Sequence, residues 1–205
     1  MQGVYKKHAN YINNMVTNPI IKKAVYFSAE KHDGQYRKGS RVPYFAHAVL
    51  VALGVFKYST DEHLIAAAVL HDVLEDCHEV TIKELKKLFG DRVVRLIREV
   101  SFLKNKHDKN LFWKEKKLLY IKKIRDVSKE ALLIVAVDKM SNMQAYFEAI
   151  KSGRKDLNKF FGGTMDDYFW YYQEIYIILK YRLKGHMVVK EYRNILEHYE
   201  KNLLK

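Results

Sequence analysis

Apolar residues along this chain recur at three- and four-residue spacing, the repeat of a helix with one buried face, and do not alternate over several segments as strands would. The first such stretch, Ile20 to Lys31, follows Asn18-Pro19, a capping residue and a first-turn proline. A polar loop from Gly34 to Val42 precedes a second stretch, Pro43 to Phe56. Ser59-Thr60-Asp61-Glu62 then supplies a cap and an acidic first turn for a helix expected to run to about Leu74. Thr81 and Glu84 have the spacing of a capping box and open a short helix that should stop at Gly90, with another from Asp91 to Val100. Ser101 to Asn110 reads as a polar connection, Leu111 to Arg125 as a helix, and Lys129 to about Lys151 as a long helix. Ser152-Gly153 breaks it, the residues up to Gly162-Gly163 read as irregular, and helices over Met165 to Lys184 and Met187 to Asn202 follow. No linker divides the pattern, so residues 1–205 are expected to form a single all-α domain.

Composition sharpens this picture. Apolar residues make up 48% of the 205, ample for a buried interior, and only two prolines interrupt the chain. The lone cysteine, Cys77, excludes an internal disulfide and follows an acidic pair that would raise its thiol pKa, so it reads as structural. The N-terminal MQGVYKKHAN lacks the apolar stretch of a signal peptide, and no window approaches the ~20 apolar residues of a membrane span, so a soluble, cytoplasmic protein is expected.

The formal charge of +13 implies a polyanionic partner: nucleic acid, anionic lipid or a multiply phosphorylated small molecule. The basic residues are dispersed over several helices, with no helix-turn-helix or zinc-finger pattern, which disfavours a nucleic-acid binder. The acidic residues gather instead: His71 to Glu79 carries Asp72, Glu75, Asp76 and Glu79. A local acidic knot in a basic protein suits a metal site serving an anionic substrate; a solvated acidic helix end is the alternative.

Three segments carry candidate chemistry. In AAAVLHDVLED, small apolar residues lead to His71-Asp72, so both groups sit where burial is expensive unless a cation compensates the charge. His47 lies in the apolar PYFAHAVLVALGVF, where a hydrogen-bonded core histidine is the plainer reading. Asp138 ends seven residues without a polar side chain in ALLIVAVDKMSNM and wants a cation; Lys139 is not expected to supply it, because adjacent helical residues diverge. If three helices pack side by side these residues converge. Two imidazoles and two carboxylates leave room for water in an octahedral site, favouring Mn²⁺ over a closed tetrahedral zinc site.

The histidine, the His-Asp pair and the distant aspartate resemble the HD-domain phosphohydrolases, and the surrounding words resemble the RelA/SpoT-type alarmone hydrolases in their small, single-domain form. HDGQYRKGSRVPYFAH (His32 to His47), HDVLED (His71 to Asp76) and VDKMSN (Val137 to Asn142) are similar to that family's three motifs, in order. FWKEKKLLYIKKI and DDYFWYYQEIY resemble further segments, so the likeness spans roughly residues 20 to 182. Departures are Ala48 where proline is usual, Val137 in place of alanine and Met140 in place of leucine.

The resemblance implies a helical bundle with one Mn²⁺ held by His47, His71, Asp72 and Asp138. It implies that Glu75 and Asp76 position and deprotonate the attacking water. Arg37, Lys38 and Asn142 would contact the nucleotide, with Lys116, Lys117, Tyr168 and Tyr172 as looser candidates for its phosphates or sugar. The implied reaction is removal of the 3′-pyrophosphate from a guanosine or adenosine tetra- or pentaphosphate alarmone. The rivals are an HD-type phosphatase acting on another phosphorylated nucleotide such as NADPH, a non-catalytic basic nucleic-acid binder, and a ligand sensor that has lost turnover. The retained Glu75-Asp76 pair argues against the last.

Overall fold

A computed structural model describes residues 17–102, 111–152 and 162–203. The N-terminal MQGVYKKHAN, most of the expected polar connection (103–110) and the expected irregular segment 153–161 lie outside the described residues. Among the described residues the regular structure is helical throughout: α1 (Pro19–Lys31), α2 (Tyr44–Phe56), α3 (Glu62–Val69), α4 (Val73–Asp76), α5 (Ile82–Val100), α6 (Trp113–Ile124), α7 (Lys129–Lys151), α8 (Met165–Arg182) and α9 (Met187–Leu203). An isolated antiparallel bridge between Tyr36 and Pro43 closes the loop before α2.

The caps read from sequence fix where the helices begin. Asn18 accepts from the backbone N–H groups of Ile20 and Ile21 at 3.0 and 3.2 Å, and its amide also donates to Glu62 at 2.8 Å, tying the start of α1 to the start of α3. Asp61 caps α3 through the N–H groups of His63 and Leu64, and Thr81 caps α5 through Glu84. Each such cap stabilises its helix by about 1 kcal/mol.

α3 is the centre of the packing. Leu64 to Val69 are all buried, and the Ala66–Ala68 run lets α1, α2, α5 and α7 approach closely around it. α7 is the long spine: its apolar first half packs on α2, α3 and α5, and α8 and α9 also pack on it. Gly54 of α2 meets this spine. A Cβ added there would stand 2.4 Å from Cγ1 of Val137, so the two helices lie closer than any larger residue permits.

Two helix boundaries repay attention. The helix expected to reach Leu74 ends at Val69; the chain turns through Leu70 (φ −98°, ψ 6°) to Asp72 and restarts as α4. The turn lets neighbouring His71 and Asp72 face one space, which a continuous helix would forbid. Ser101 pins it: its Oγ lies 3.0 Å from the His71 carbonyl oxygen. The break expected at Gly90 is present within α5, where φ 81° and ψ 170° interrupt the helical geometry in a region open only to glycine.

Candidate metal centre and its cavity

His47 comes from α2, His71 and Asp72 from the α3–α4 turn, and Asp138 from the middle of α7. Packing of those elements brings one ligand atom each from His47, His71 and Asp138 within 4.8 Å of one another, with all three residues buried. Asp72 completes the group: its Oδ2 lies 2.8 Å from Nε2 of His71 and 3.9 Å from Nε2 of His47. The four residues that the sequence singled out therefore share one point.

The donor atoms suit a cation. Nδ1 of His71 lies 2.8 Å from the Ala68 carbonyl, an acceptor only, so Nδ1 carries the hydrogen and the Nε2 lone pair faces the cluster. That Nε2 is buried and makes no hydrogen bond despite its nearness to Asp72. His47 is oriented alike, with Nδ1 3.1 Å from Ser141 Oγ and Nε2 3.1 Å from Asp138 Oδ1. Two imidazole nitrogens and two carboxylates converging on one buried point, one of the nitrogens without a hydrogen-bond partner, is a donor set that fits a divalent ion.

The electrostatics agree. Burial alone would lift the carboxyl of Asp138, but Lys139 and the two histidines hold it well below the usual range. Burial likewise opposes ionisation of Asp72, and His71 overrides it. Burial lowers His47, whereas Asp72 and Asp138 outweigh burial at His71 and raise it to about 9. The site is negative enough to take up a proton where no other cation compensates it.

Lys139 corrects the sequence reading. Its ammonium lies 2.5 Å from Oδ2 of Asp138 and 4.9 Å from the centre of the Tyr120 ring. The backbone directions of the two residues do diverge, but a four-carbon stem is long enough to curl back to the neighbouring carboxylate.

A cavity of about 240 Å³ opens beside the cluster. His71, Asp72, Asp138 and Glu75 line one end of it, and Lys38, Lys116, Lys117 and Lys139 also line it. Phe102, Trp113, Tyr120, Tyr168 and Tyr171 supply aromatic surface. Glu75 is held in place by the backbone N–H of Phe102, 3.0 Å from its Oε2. Burial, then the charge of Asp72, raises its carboxyl pKa above the ordinary value. Asp76 is exposed and stands outside the cavity lining, so the structure separates the two acids that sequence treated as a pair.

The other candidate residues divide. Lys117 sits with its ammonium 4.6 Å from the Tyr171 ring centre and 5.5 Å from that of Trp113; burial, reinforced by Lys139, lowers it to about 8. Tyr168 lines the cavity and accepts from the Trp113 indole N–H at 3.3 Å. Tyr172 is buried among Tyr168, Tyr171 and Tyr199 and belongs to the core. Arg37 and Asn142 lie outside the lining and bind each other, Arg37 Nη2 donating to Asn142 Oδ1 at 2.6 Å.

Sequence reasoning missed Tyr44, whose hydroxyl lies 2.5 Å from Asp72 Oδ2, and the wall residue Trp113. Burial and the Asp72 charge push the Tyr44 hydroxyl pKa up, so it is the donor in that bond. Trp113 is backed by Gly162 and Gly163: a Cβ at Gly163 would stand 3.1 Å from the indole, and one at Gly162 3.3 Å. The reading of Cys77 as structural holds, since the thiol is buried and pushed up to about 11 by burial and Glu79.

Comparison with known proteins shows the family. A sequence model of the HD domain matches residues 24–160. The guanosine-3′,5′-bis(diphosphate) 3′-pyrophosphohydrolase MESH1 of Drosophila melanogaster is 37% identical over 135 residues, which cover 63% of this chain and 72% of that protein. The guanosine-3′,5′-bis(diphosphate) 3′-pyrophosphohydrolase of Aquifex aeolicus is 33% identical over 141 residues, 68% of this chain but only 19% of that longer protein. Among solved structures, a metazoan ortholog of SpoT that hydrolyses ppGpp superposes with a TM-score of 0.64 at 28% identity, covering 90% of this chain and 95% of the other. The lmo0812 protein of Listeria monocytogenes gives 0.61 at 26% identity, covering 76% and 99%. The chain belongs to the HD-domain family, in the RelA/SpoT-type branch that includes the small MESH1 proteins.

Proposed function

We propose that the protein is a metal-dependent pyrophosphohydrolase that removes the 3′-pyrophosphate from a guanosine or adenosine tetra- or pentaphosphate, working in the cytoplasm as one HD-type unit. The observation that carries the reading is the meeting of His47, His71, Asp72 and Asp138 beside a cavity lined by the last three together with lysines and aromatic rings. A divalent ion held by those four residues, Mn²⁺ in this proposal, supplies Lewis acidity that acidifies water and takes charge from the phosphoryl oxygens.

The chain's own groups do the rest. Glu75, fixed by Phe102 and with a raised carboxyl pKa, accepts the proton of the attacking water, and that proton returns to the ribose oxygen as the ester P–O bond breaks. Asp76 is a supporting acid at the rim. Lys38, Lys116 and Lys117 pair with the phosphates, and Tyr168 packs against the sugar. Arg37 contacts the base in this proposal, with Asn142 accepting from its guanidinium. Tyr172 supports Tyr168 from the core.

The deciding experiment is a turnover screen over phosphorylated nucleotides with Mn²⁺ present and Asp72→Ala as the blank. Release of pyrophosphate from the 3′-position is expected. Orthophosphate release from a nucleotide such as NADPH, without pyrophosphate, would replace this substrate with another, and no turnover at all would remove the enzyme reading.

A further inference from the structure

The two carboxylates of the metal centre are each gripped from outside by a neutral donor. Tyr44 donates to Asp72 Oδ2 at 2.5 Å, and Asn142 Nδ2 donates to Asp138 Oδ1 at 2.6 Å. The two grips come from different elements, Tyr44 from the start of α2 and Asn142 from α7, one turn beyond Asp138.

Arg37 touches both. Its guanidinium donates to Asn142 Oδ1 at 2.6 Å and lies 5.6 Å from the centre of the Tyr44 ring. The backbone puts it there: Arg37 N–H bonds the Val42 carbonyl at 2.9 Å and Tyr44 N–H bonds the Gln35 carbonyl at 2.8 Å, folding the loop back over the start of α2. The Tyr44 ring also packs against buried His32, with centroids 4.9 Å apart, and edge-on to His47 at 5.7 Å. His32 is itself held by Gln35 at 2.8 Å.

The chemistry of the amide makes this arrangement directional. A guanidinium has donors only, so it can bind only the oxygen of the Asn142 amide. With that oxygen turned to Arg37, the NH₂ group must face Asp138. Asp138 in turn accepts only, so the two ends anchor the amide in the same sense, and loss of Arg37 removes one of its two anchors.

We propose that Tyr44 and Asn142 are positioning residues of the metal centre, joined through Arg37 into one clasp that aims Asp72 and Asp138 at the ion. The inference rests on the metal reading above. It gives Arg37 a duty toward the ion although it touches none of the four ligands: it sets the orientation of Asn142 and braces Tyr44. Groups that orient ligands in this way commonly change metal affinity by about 10- to 100-fold when removed.

The test is Mn²⁺ binding by the whole protein without nucleotide, read from the free-ion electron paramagnetic resonance signal, with thermal melts as the folding control. Tyr44→Phe keeps the ring and removes one hydrogen bond; it should bind Mn²⁺ about tenfold more weakly with little change in melting temperature. Arg37→Met separates the clasp from simple electrostatics, because deleting a nearby positive charge would tighten Mn²⁺ binding whereas loss of the clasp loosens it. Should Tyr44→Phe fail to fold, Arg37→Met, on a partly exposed loop, still decides. A Tyr44→Phe affinity within about threefold of the parent, or tighter binding by Arg37→Met, overturns the clasp and leaves the metal reading intact. A parent protein that binds no Mn²⁺ removes both.

Discussion

Gly54 on α2 and Val137 on α7 are in contact through a gap that admits no side chain, the Cβ of any replacement falling 2.4 Å from Val137 Cγ1. The closeness matters because His47 lies two turns before Gly54 and Asp138 directly follows Val137. The seam between the helices therefore sets the separation of two of the proposed metal ligands. Gly54→Ala gains about 1 kcal/mol of helix propensity but overpacks a stiff β-branched neighbour at a cost of about 1–3 kcal/mol. The clash should win. A lower melting temperature is expected, together with weaker Mn²⁺ binding; an unchanged affinity would show that the seam does not set the ligand spacing.

Removing the metal should loosen the whole bundle. The four proposed ligands come from three separated stretches of chain, so an ion bound only by the folded protein would stabilise it through mass action. At a free concentration of 100 times its dissociation constant the gain is about 2.7 kcal/mol. Melting temperature should rise with added Mn²⁺ and fall back on chelation, and calorimetric scans across a concentration series measure it.

Lys117 gives the cavity a pH dependence. With its pKa lowered to about 8, its ammonium is charged below that pH and lost as pH rises through it. Burial is the main cause of the lowering, and the charges of Lys139, Glu75, Lys38 and Asp138 around it adjust the value. KM for a phosphorylated substrate should therefore climb between roughly pH 7 and 9. The parent KM profile compared with that of Lys117→Met checks this: the variant should start with a raised KM and lack the climb, and an identical profile would place the ammonium outside the substrate's reach.

Glu75→Gln keeps the shape and the hydrogen-bonding reach of the side chain but cannot accept a proton. If Glu75 is the base, kcat should fall by about 10²- to 10⁴-fold with KM little changed. Steady-state kinetics at fixed Mn²⁺ separates the two parameters, and an equal loss in Asp76→Asn alone would move the role to the rim.

The cluster of His47, His71, Asp72 and Asp138 was legible because polar residues interrupt apolar runs. Asp138 follows seven apolar residues and His71-Asp72 follows an alanine run, so each polar group stands out against its neighbours in the sequence. Helix caps such as Asn18 and Asp61 were legible because they act over three or four residues. What escaped acts at a distance. Tyr44 looked like an ordinary aromatic at a helix start, and only the fold shows Asp72 beneath its hydroxyl. The α3 boundary was missed because Leu70 to Leu74 keeps a helical pattern while the backbone turns. Lys139 was misjudged because backbone direction was used where side-chain length decides.

The indole of Trp113 rests on a bare stretch of backbone at Gly162 and Gly163, with a methyl group at either position falling 3.1 to 3.3 Å from the ring. Even alanine at Gly163 would require the indole to give by a few tenths of an ångström. The bore available to a ligand is thus governed by hydrogen atoms on backbone some fifty residues downstream, and changes there should alter which molecules fit while leaving His47, His71, Asp72 and Asp138 in place.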